Sequence, residues 1–311
     1  MAETIKNRSE IIFIYDVSDG NPNGDPLDEN KPRIDEDAGI NLVTDVRLKR
    51  TIRDYLHDFK GLEIFVREII TDEEKGYIQD AKERARDFEE NAKRILAECI
   101  DVRLFGGVIP TEKSQGDKSA ITYTGPVQFK MGRSLHRVTV KHIRGTGAFA
   151  SDAKSKQKTF REEDFLPYSL ILFYGIINEN AAKQTGLTDE DGKLLLDGIW
   201  NGTKGLITRT KVGQIPRLLL RVNYSKENYH IGDLDKMVKL VTDMRHEDIR
   251  DVEDFELDIS ELIKKLKDEK GAIKDIEVKA DDRIKFKKDG ADFTFADLGK
   301  EKEIIINTIS F

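Results

Sequence analysis

The stretch DGNPNGDPLDEN, residues 19–30, holds the densest run of potential ligands in the chain. Asp19, Asn21 and Asn23 alternate and Gly24 follows, which matches the opening of an EF-hand calcium loop. The second half breaks the match. The twelfth position, where an EF-hand needs a bidentate Glu, is Asn30. The entering segment EIIFIYDV is rich in Ile, Val and aromatics and reads as a buried strand, not a helix. Pro22 and Pro26 lack backbone donors and stiffen the stretch. It therefore reads as a long turn whose Asn, Gly and Asp residues supply unusual backbone angles. Asp25, Asp28 and Asp35 could still hold a divalent metal, but the expectation is a protein without metal or other cofactor.

Other catalytic patterns are weak. His57, His136, His142, His230 and His246 show no metal-ligand spacing. His136 and His142 lie in a basic stretch, where an imidazole can serve as a general base for RNA cleavage or as a polar or phosphate contact. Ser134 lacks the G-x-S-x-G elbow of a hydrolase nucleophile. No G-x-G-x-x-G follows a strand, and there is no P-loop.

Cations are better placed for chemistry. The segment RLKR, with Arg47, Lys49 and Arg50, followed by Arg53, sets several positive charges within a turn or two of one helix. Between 204 and 221 the chain holds five bases and no acid, and its Thr208, Arg209, Lys211 and Gln214 suit phosphates, 2′-hydroxyls or base edges. Between 130 and 161 there are nine bases and one acid. Acids concentrate elsewhere, nine against two bases in 16–45 and eleven against five in 243–269. The net charge of -7 thus hides two basic stretches that fit nucleic acid.

These residues need elements to hold them. A strand is expected over 11–17, then a polar loop to about 41. Thr44 caps a helix whose apolar face is Val46, Leu48, Ile52, Tyr55, Leu56 and Phe59. A long helix is expected over 71–98, with a Thr71/Glu74 capping box and a core seam of Ile78, Ala81, Ala85, Phe88, Ala92, Ile95 and Cys99. Glu89–Lys93 and Glu90–Arg94 would be its surface pairs. CIDVRLFGGV reads as a strand, and AITYTGPVQFKMGRSLHRVTV as extended chain. HIRGTGAFASDAKSKQKTFREEDF reads as an exposed, mobile or disordered insertion. YSLILFYGII is a central strand, the segment after Thr188 a short helix, and LITRTKVGQIPRLLLRVNY a turn and a strand. This irregular alternation predicts α+β with an antiparallel or mixed sheet.

At 311 residues the chain can bury a sizeable core. Its 36% charged residues indicate a densely charged, solvated surface. Cys99 is the single cysteine, so intramolecular disulfides and cysteine-rich zinc sites are excluded. No apolar run approaches eighteen residues and MAETIKNRSE has no signal core, so the expected location is the cytoplasm, with no membrane partner.

The order of motifs carries a resemblance. NPNGDP, KPRID, VTDVRLKRTIRDYL, DVRLFGG, TGPVQF with RSL, PYSLILFYGIIN and TRTKVGQIPRLL occur in series over about 10–225. This series resembles the CRISPR RAMP superfamily, and within it the Cascade backbone subunit of the I-B/I-C branch. The resemblance implies a modified RRM, a ferredoxin-like core, as one palm domain over 1–311, with helical fingers at about 60–120 and a thumb loop at about 138–165. It implies a non-catalytic subunit of a type I Cascade surveillance complex in antiviral defence. Copies would polymerise along the guide RNA (crRNA), joined by other Cascade subunits. The thumb would push out a base at intervals, and the remaining bases would pair with target DNA. The implied RNA contacts are Asn21, Asn23, Arg47, Lys49, Arg50, Arg53, Gln128, Ser134, His136, Thr208, Arg209 and Lys211. The glycines of DVRLFGG would lie beside RNA, with Asp101 and Phe105 structural. The alternative is a metal-dependent ribonuclease of the type III backbone kind, using acids of the 19–37 loop.

Overall fold

The computed structural model describes residues 3–110, 120–150, 158–300 and 303–311. A mixed sheet of ten strands forms its centre, with the principal strands β1 (Ser9–Gly20), β2 (Ile40–Val43), β3 (Gly132–Arg137), β4 (Lys158–Ile177), β5 (Ile215–Tyr224), β6 (Ile273–Ala280) and β7 (Ile306–Thr308). Their order across the sheet is β7-β6-β5-β1-β4-β3-β2. β1 lies between β4 and β5 and is antiparallel to both, while β7 joins β6 in parallel. Taken in chain order, the strands β1, β3, β4 and β5 stand in space as fourth, first, third, second. Helix α1 (Asp45–Asp58) lies between the first and second of these, and α2 (Asp189–Lys204) between the third and fourth.

The period of two along a strand sends alternate side chains to opposite faces. Ile11, Phe13, Tyr15 and Val17 join one core with Leu48, Ile52 and Leu56 of α1 and Leu195, Ile199 and Trp200 of α2. Ile12 and Ile14 join the other with Leu170, Leu218 and Leu220 and with apolar residues of the 234–304 segment, among them Phe255, Leu262, Leu266 and Leu298. Both sheet faces are therefore covered. That explains why EIIFIYDV is apolar without alternation. The acidic 243–269 region is part of this second cover. Its helix Ser260–Asp268 buries Leu262, Ile263 and Leu266 and leaves its charges outward.

The long helix expected over 71–98 does not form. The chain makes a hairpin of Ile70–Asp72 with Tyr77–Ile78, then two helices, Ala81–Arg86 and Ala92–Glu98. Asp72 accepts from the backbone of Glu74 and Lys75, and Gly76 takes a positive φ, which together set a turn where a helical capping box was expected. Glu89 and Glu90 both adopt left-handed backbone and end the first helix run, and Asn91 caps the next. Much of the expected seam still packs. Ala85, Phe88, Ala92, Ile95 and Cys99 meet Phe65, Val102 and Ile109 in a small separate core, but Ile78 is exposed. Arg94 pairs with Glu89 and Glu98, not Glu90.

The segment expected as a strand at 99–108 is a helix, Ile100–Phe105, followed by a strand, Gly106–Pro110. A fully buried apolar run has no periodicity to separate the two. Asp101 fixes the helix start by accepting from the backbone N–H groups of Phe65 and Val66. The segment read as mobile or disordered is a paired ribbon where it is described. Lys141–Ala150 runs antiparallel to the outer half of β4, from Lys141 opposite Phe165 to Thr146 opposite Phe160. Residues 151–157, the lysine-rich tip of the expected thumb, and 111–119 of the expected fingers lie outside the described residues. Among the described residues no helix is long and apolar enough to cross a membrane.

Candidate nucleic-acid interface

The loop that follows β1 is held by its own asparagines. Asn21 donates Nδ2–H to the Asn30 carbonyl at 2.6 Å, and its backbone N–H donates to Thr210 O at 2.8 Å. Asn23 Oδ1 accepts from both the backbone N–H and the hydroxyl of Thr44, at 2.8 and 2.9 Å. Thr44 in turn caps α1 by accepting from Arg47 N. Loop and helix start are therefore one rigid unit, against which the 205–214 turn is docked through Thr210.

Arg47 and Lys211, far apart in sequence, come within electrostatic reach of each other at this junction. Lys211 Nζ donates to Asn21 O at 3.2 Å and Thr210 Oγ1 at 3.4 Å, both long bonds to neutral acceptors. Burial pushes the Lys211 ammonium pKa down, and the Arg47 guanidinium beside it pushes it further. Burial likewise lowers Arg47, which Asp54 and Tyr15 offset and Arg50 reinforces. Among the described residues, neither side chain has a carboxylate ion pair. Two half-buried cations that repel each other and form no carboxylate ion pair, with Asp54 acting on Arg47 alone, favour a bound anion.

The flanking residues extend it. Lys49 Nζ lies 2.9 Å from Asp45 and 3.4 Å from Gln128 Oε1, and 5.8 Å from the centre of the Phe105 ring. Gln128 is exposed and anchored by its Nε2–H to Gly125 O. Thr208 is exposed, its carbonyl closing the turn by accepting from Lys211 and Val212. Arg209 reaches across to Glu163 of the β4 ribbon at 2.8 Å. Arg50 points outward from α1 and shares Asp54.

Other nominated residues are turned inward. Arg53 is paired at 3.0 Å with the fully buried Asp101 and stacks 5.1 Å from the Phe105 ring centre. Ser134 is buried, accepts from Asn41 N and donates to His136 O. His136 is buried between β4 and the 246 turn. Its Nε2 accepts from Leu170 N, so Nδ1 carries the proton toward the Arg137 and His246 carbonyls. Burial holds its pKa below the usual histidine value. Gly106 has positive φ and packs against Gly125 and Tyr123, whereas Gly107 faces open space.

The loop acids are dispersed. Asp25 pairs with Arg33 at 2.8 Å, Asp28 with Lys31 at 2.9 Å and Asp35 with Arg133 at 3.2 Å. No three acidic, imidazole or thiol groups converge among the described residues.

The fold is an α+β scaffold with interlocked loops that bring Lys211 and Arg47 to one end of the sheet. The comparisons narrow this. The family model for CRISPR-associated protein Cas7 matches residues 7–260. A CRISPR-associated protein Cas7 of Haloferax volcanii is 33% identical over 305 residues, covering 90% of this chain and 89% of that one. A solved chain of a "CRISPR RNA-guided surveillance complex, pre-nicking" shares the fold, with a TM-score of 0.53 at 10% identity over 96% of this chain and 99% of that chain. The chain belongs to the Cas7 family.

Proposed function

We propose that this chain is a backbone subunit of a type I Cascade complex, gripping guide RNA by its phosphates and presenting its bases to target DNA. The observation that carries the reading is the electrostatic coupling of the half-buried Lys211 to Arg47, neither of which forms a carboxylate ion pair among the described residues. Arg47, Lys49, Arg50, Gln128, Thr208, Arg209 and Lys211 are the direct contacts. Asn21, Asn23, Arg53, Ser134 and His136 act by positioning the loop, the helix and β3.

The fourth-first-third-second strand order with two crossing helices supports the ferredoxin-like, RRM-type core. An ordinary RRM stacks bases on its open sheet face. Here both faces are covered, so the RNA path runs over the loop end instead. The small separate core of Phe65, Ala85, Phe88, Ile95 and Val102 supports the reading of fingers at about 60–120, and the pairing of Lys141–Ala150 with β4 supports that of a thumb at about 138–165. Copies of the chain, other Cascade subunits and target DNA are the partners, and the setting is the cytoplasm. The subunit is read as non-catalytic, supported by Asp25, Asp28 and Asp35 each standing in a separate ion pair and by the absence of a convergent acidic cluster among the described residues. The test is a salt series of single-stranded RNA binding, with the bound RNA then held in Mg²⁺ or Mn²⁺. Steeply salt-dependent binding of RNA that stays intact is expected. Metal-dependent cleavage lost in Asp25→Asn or Asp28→Asn would replace this reading with the nuclease.

A further inference from the structure

Lys211 differs from other lysines of the chain in the company it keeps. Lys31, Lys49, Lys60, Lys130, Lys239 and Lys265 each hold a carboxylate oxygen at 3.2 Å or less. Lys211 Nζ holds none among the described residues and donates instead to the Asn21 carbonyl and the Thr210 hydroxyl, at 3.2 and 3.4 Å. Acids of the loop and of α1 are engaged elsewhere: Asp25 with Arg33, Asp28 with Lys31, Asp45 with Lys49 and Asp54 with Arg50. The backbone fixes the position, since Lys211 N–H donates to Thr208 O at 3.1 Å and Thr210 O, one residue back, accepts from Asn21 N at 2.8 Å. The place is also reachable: Lys211 is half-buried, and Arg209 and Val212 on either side are exposed.

A lysine that is desolvated and set near a second cation is activated as a nucleophile, because both effects favour the uncharged amine with its lone pair. Both act on Lys211, burial first and Arg47 second. Lysines bonded to carboxylates are shifted the other way, as Asp28 shifts Lys31, Asp197 shifts Lys60 and Asp233 shifts Lys236. Arg47 has no carboxylate ion pair among the described residues and so favours an anion. A small electrophile that carries its own phosphate suits both side chains, the phosphate going to Arg47 and the electrophilic carbon to the amine.

We propose that Lys211 is a modification site, at which the RNA-free chain takes an acyl group from a small acyl phosphate held by Arg47. Nζ, as the free amine, attacks the acyl carbon. The N–C bond forms, the bond from that carbon to the phosphate oxygen breaks, phosphate leaves with the electron pair, and the Nζ proton passes to water. The product is a neutral amide in place of the lysine charge. The consequence for assembly rests on the RNA-binding reading above: an acylated chain lacks one phosphate contact, and a chain already on RNA has its amine covered.

The test incubates the full chain, free of RNA, with acetyl phosphate at neutral pH and follows acetylation of each lysine by quantitative mass spectrometry. Lys211 is expected to react several-fold faster than the exposed Lys82, Lys93 and Lys264, to lose that lead in urea, and to be protected by single-stranded RNA bound beforehand. Arg47→Ala is expected to abolish the lead, since it removes both the neighbouring charge and the holder of the phosphate. The acetylated chain is expected to bind RNA at least about tenfold more weakly. Lys211 reacting no faster than the exposed lysines overturns the inference and leaves the RNA-binding reading standing. A lead that appears with acetyl-CoA but not with acetyl phosphate, or that survives Arg47→Ala, overturns the donor and its holder. Selective acetylation with RNA affinity intact upholds the modification site and overturns Lys211 as an RNA contact. The rate comparison needs no variant, so a misfolded Arg47→Ala does not rescue the inference.

Discussion

Lys211→Met separates the cost of an unpaired cation from its use. Methionine keeps much of the apolar stem and removes the charge. In the free protein the substitution loses two long hydrogen bonds, to Asn21 O and Thr210 Oγ1, each worth about 0.5–1 kcal/mol net. It also removes a half-buried charge that both burial and Arg47 disfavour. These contributions are similar in size and opposite in sign. The stability of the free protein should therefore move by less than about 1 kcal/mol. RNA binding should behave differently. A charge-assisted contact to phosphate is worth about 1.5–3 kcal/mol, or about 10- to 150-fold in Kd. One lost phosphate contact on a single strand should also reduce the slope of log Kd against log salt by about 0.7. Urea unfolding and fluorescence anisotropy with labelled RNA, from low to moderate salt, measure both quantities on the same samples. A variant that loses more than about 2 kcal/mol of stability while keeping affinity and salt slope would refute the reasoning. It would show that Lys211 is a structural donor.

The same pair sets a pH dependence. The folded pKa of Lys211 lies below its ordinary 10.5, so between the two values the unfolded chain binds more protons and free-protein stability rises with pH. Bound phosphate favours the ammonium, so RNA affinity should fall over that window, and Lys211→Met should flatten the fall in a binding titration. His136 has a depressed folded pKa: its stability contribution is complete above about 6.5 and is lost as pH falls toward the folded value. Thermal melts at pH 7.5 and 5.5 should therefore differ more in the parent than in His136→Gln. Arg53→Ala leaves Asp101 buried with only the Phe65 and Val66 N–H groups, and should cost about 2–4 kcal/mol by denaturation. Gly106→Ala should destabilise through its left-handed backbone and its contact with Gly125, while Gly107→Ala, in open space, should unfold within about 1 kcal/mol of the parent.

Several elements could be read from local chemistry alone. Thr44 and Thr188 cap α1 and α2 as expected, because a hydroxyl before an amphipathic run signals a helix start without help from the rest of the fold. The strands around YSLILFYGII and PRLLLRV announced themselves by short apolar runs, rich in Ile and aromatics in the first and in Leu in the second. Periodicity misled at 71–98, where seam residues recur at helical spacing yet Gly76 and the left-handed Glu89 and Glu90 divide the chain. Tertiary contacts chose those backbone angles, and no local propensity reports them. The segment beyond Tyr224 is built largely of three-residue strands and single 3-10 turns, too short to show a period. At the interface, Arg47 and Lys211 were each suggested by charge. That they come within electrostatic reach of each other, and that Arg53 is instead committed to Asp101, depends on the strand order.

The most direct measurement of the central claim is to co-express the chain with its neighbouring genes and a repeat–spacer array, purify it at moderate salt, and sequence the RNA that accompanies it. The account expects one class of short, repeat-flanked RNA, intact, in an assembly with several copies of the chain, and expects the paired Arg47→Ala and Lys211→Met changes to deplete it. A folded monomer without RNA, or RNA of no defined class that the double variant retains, would contradict the account.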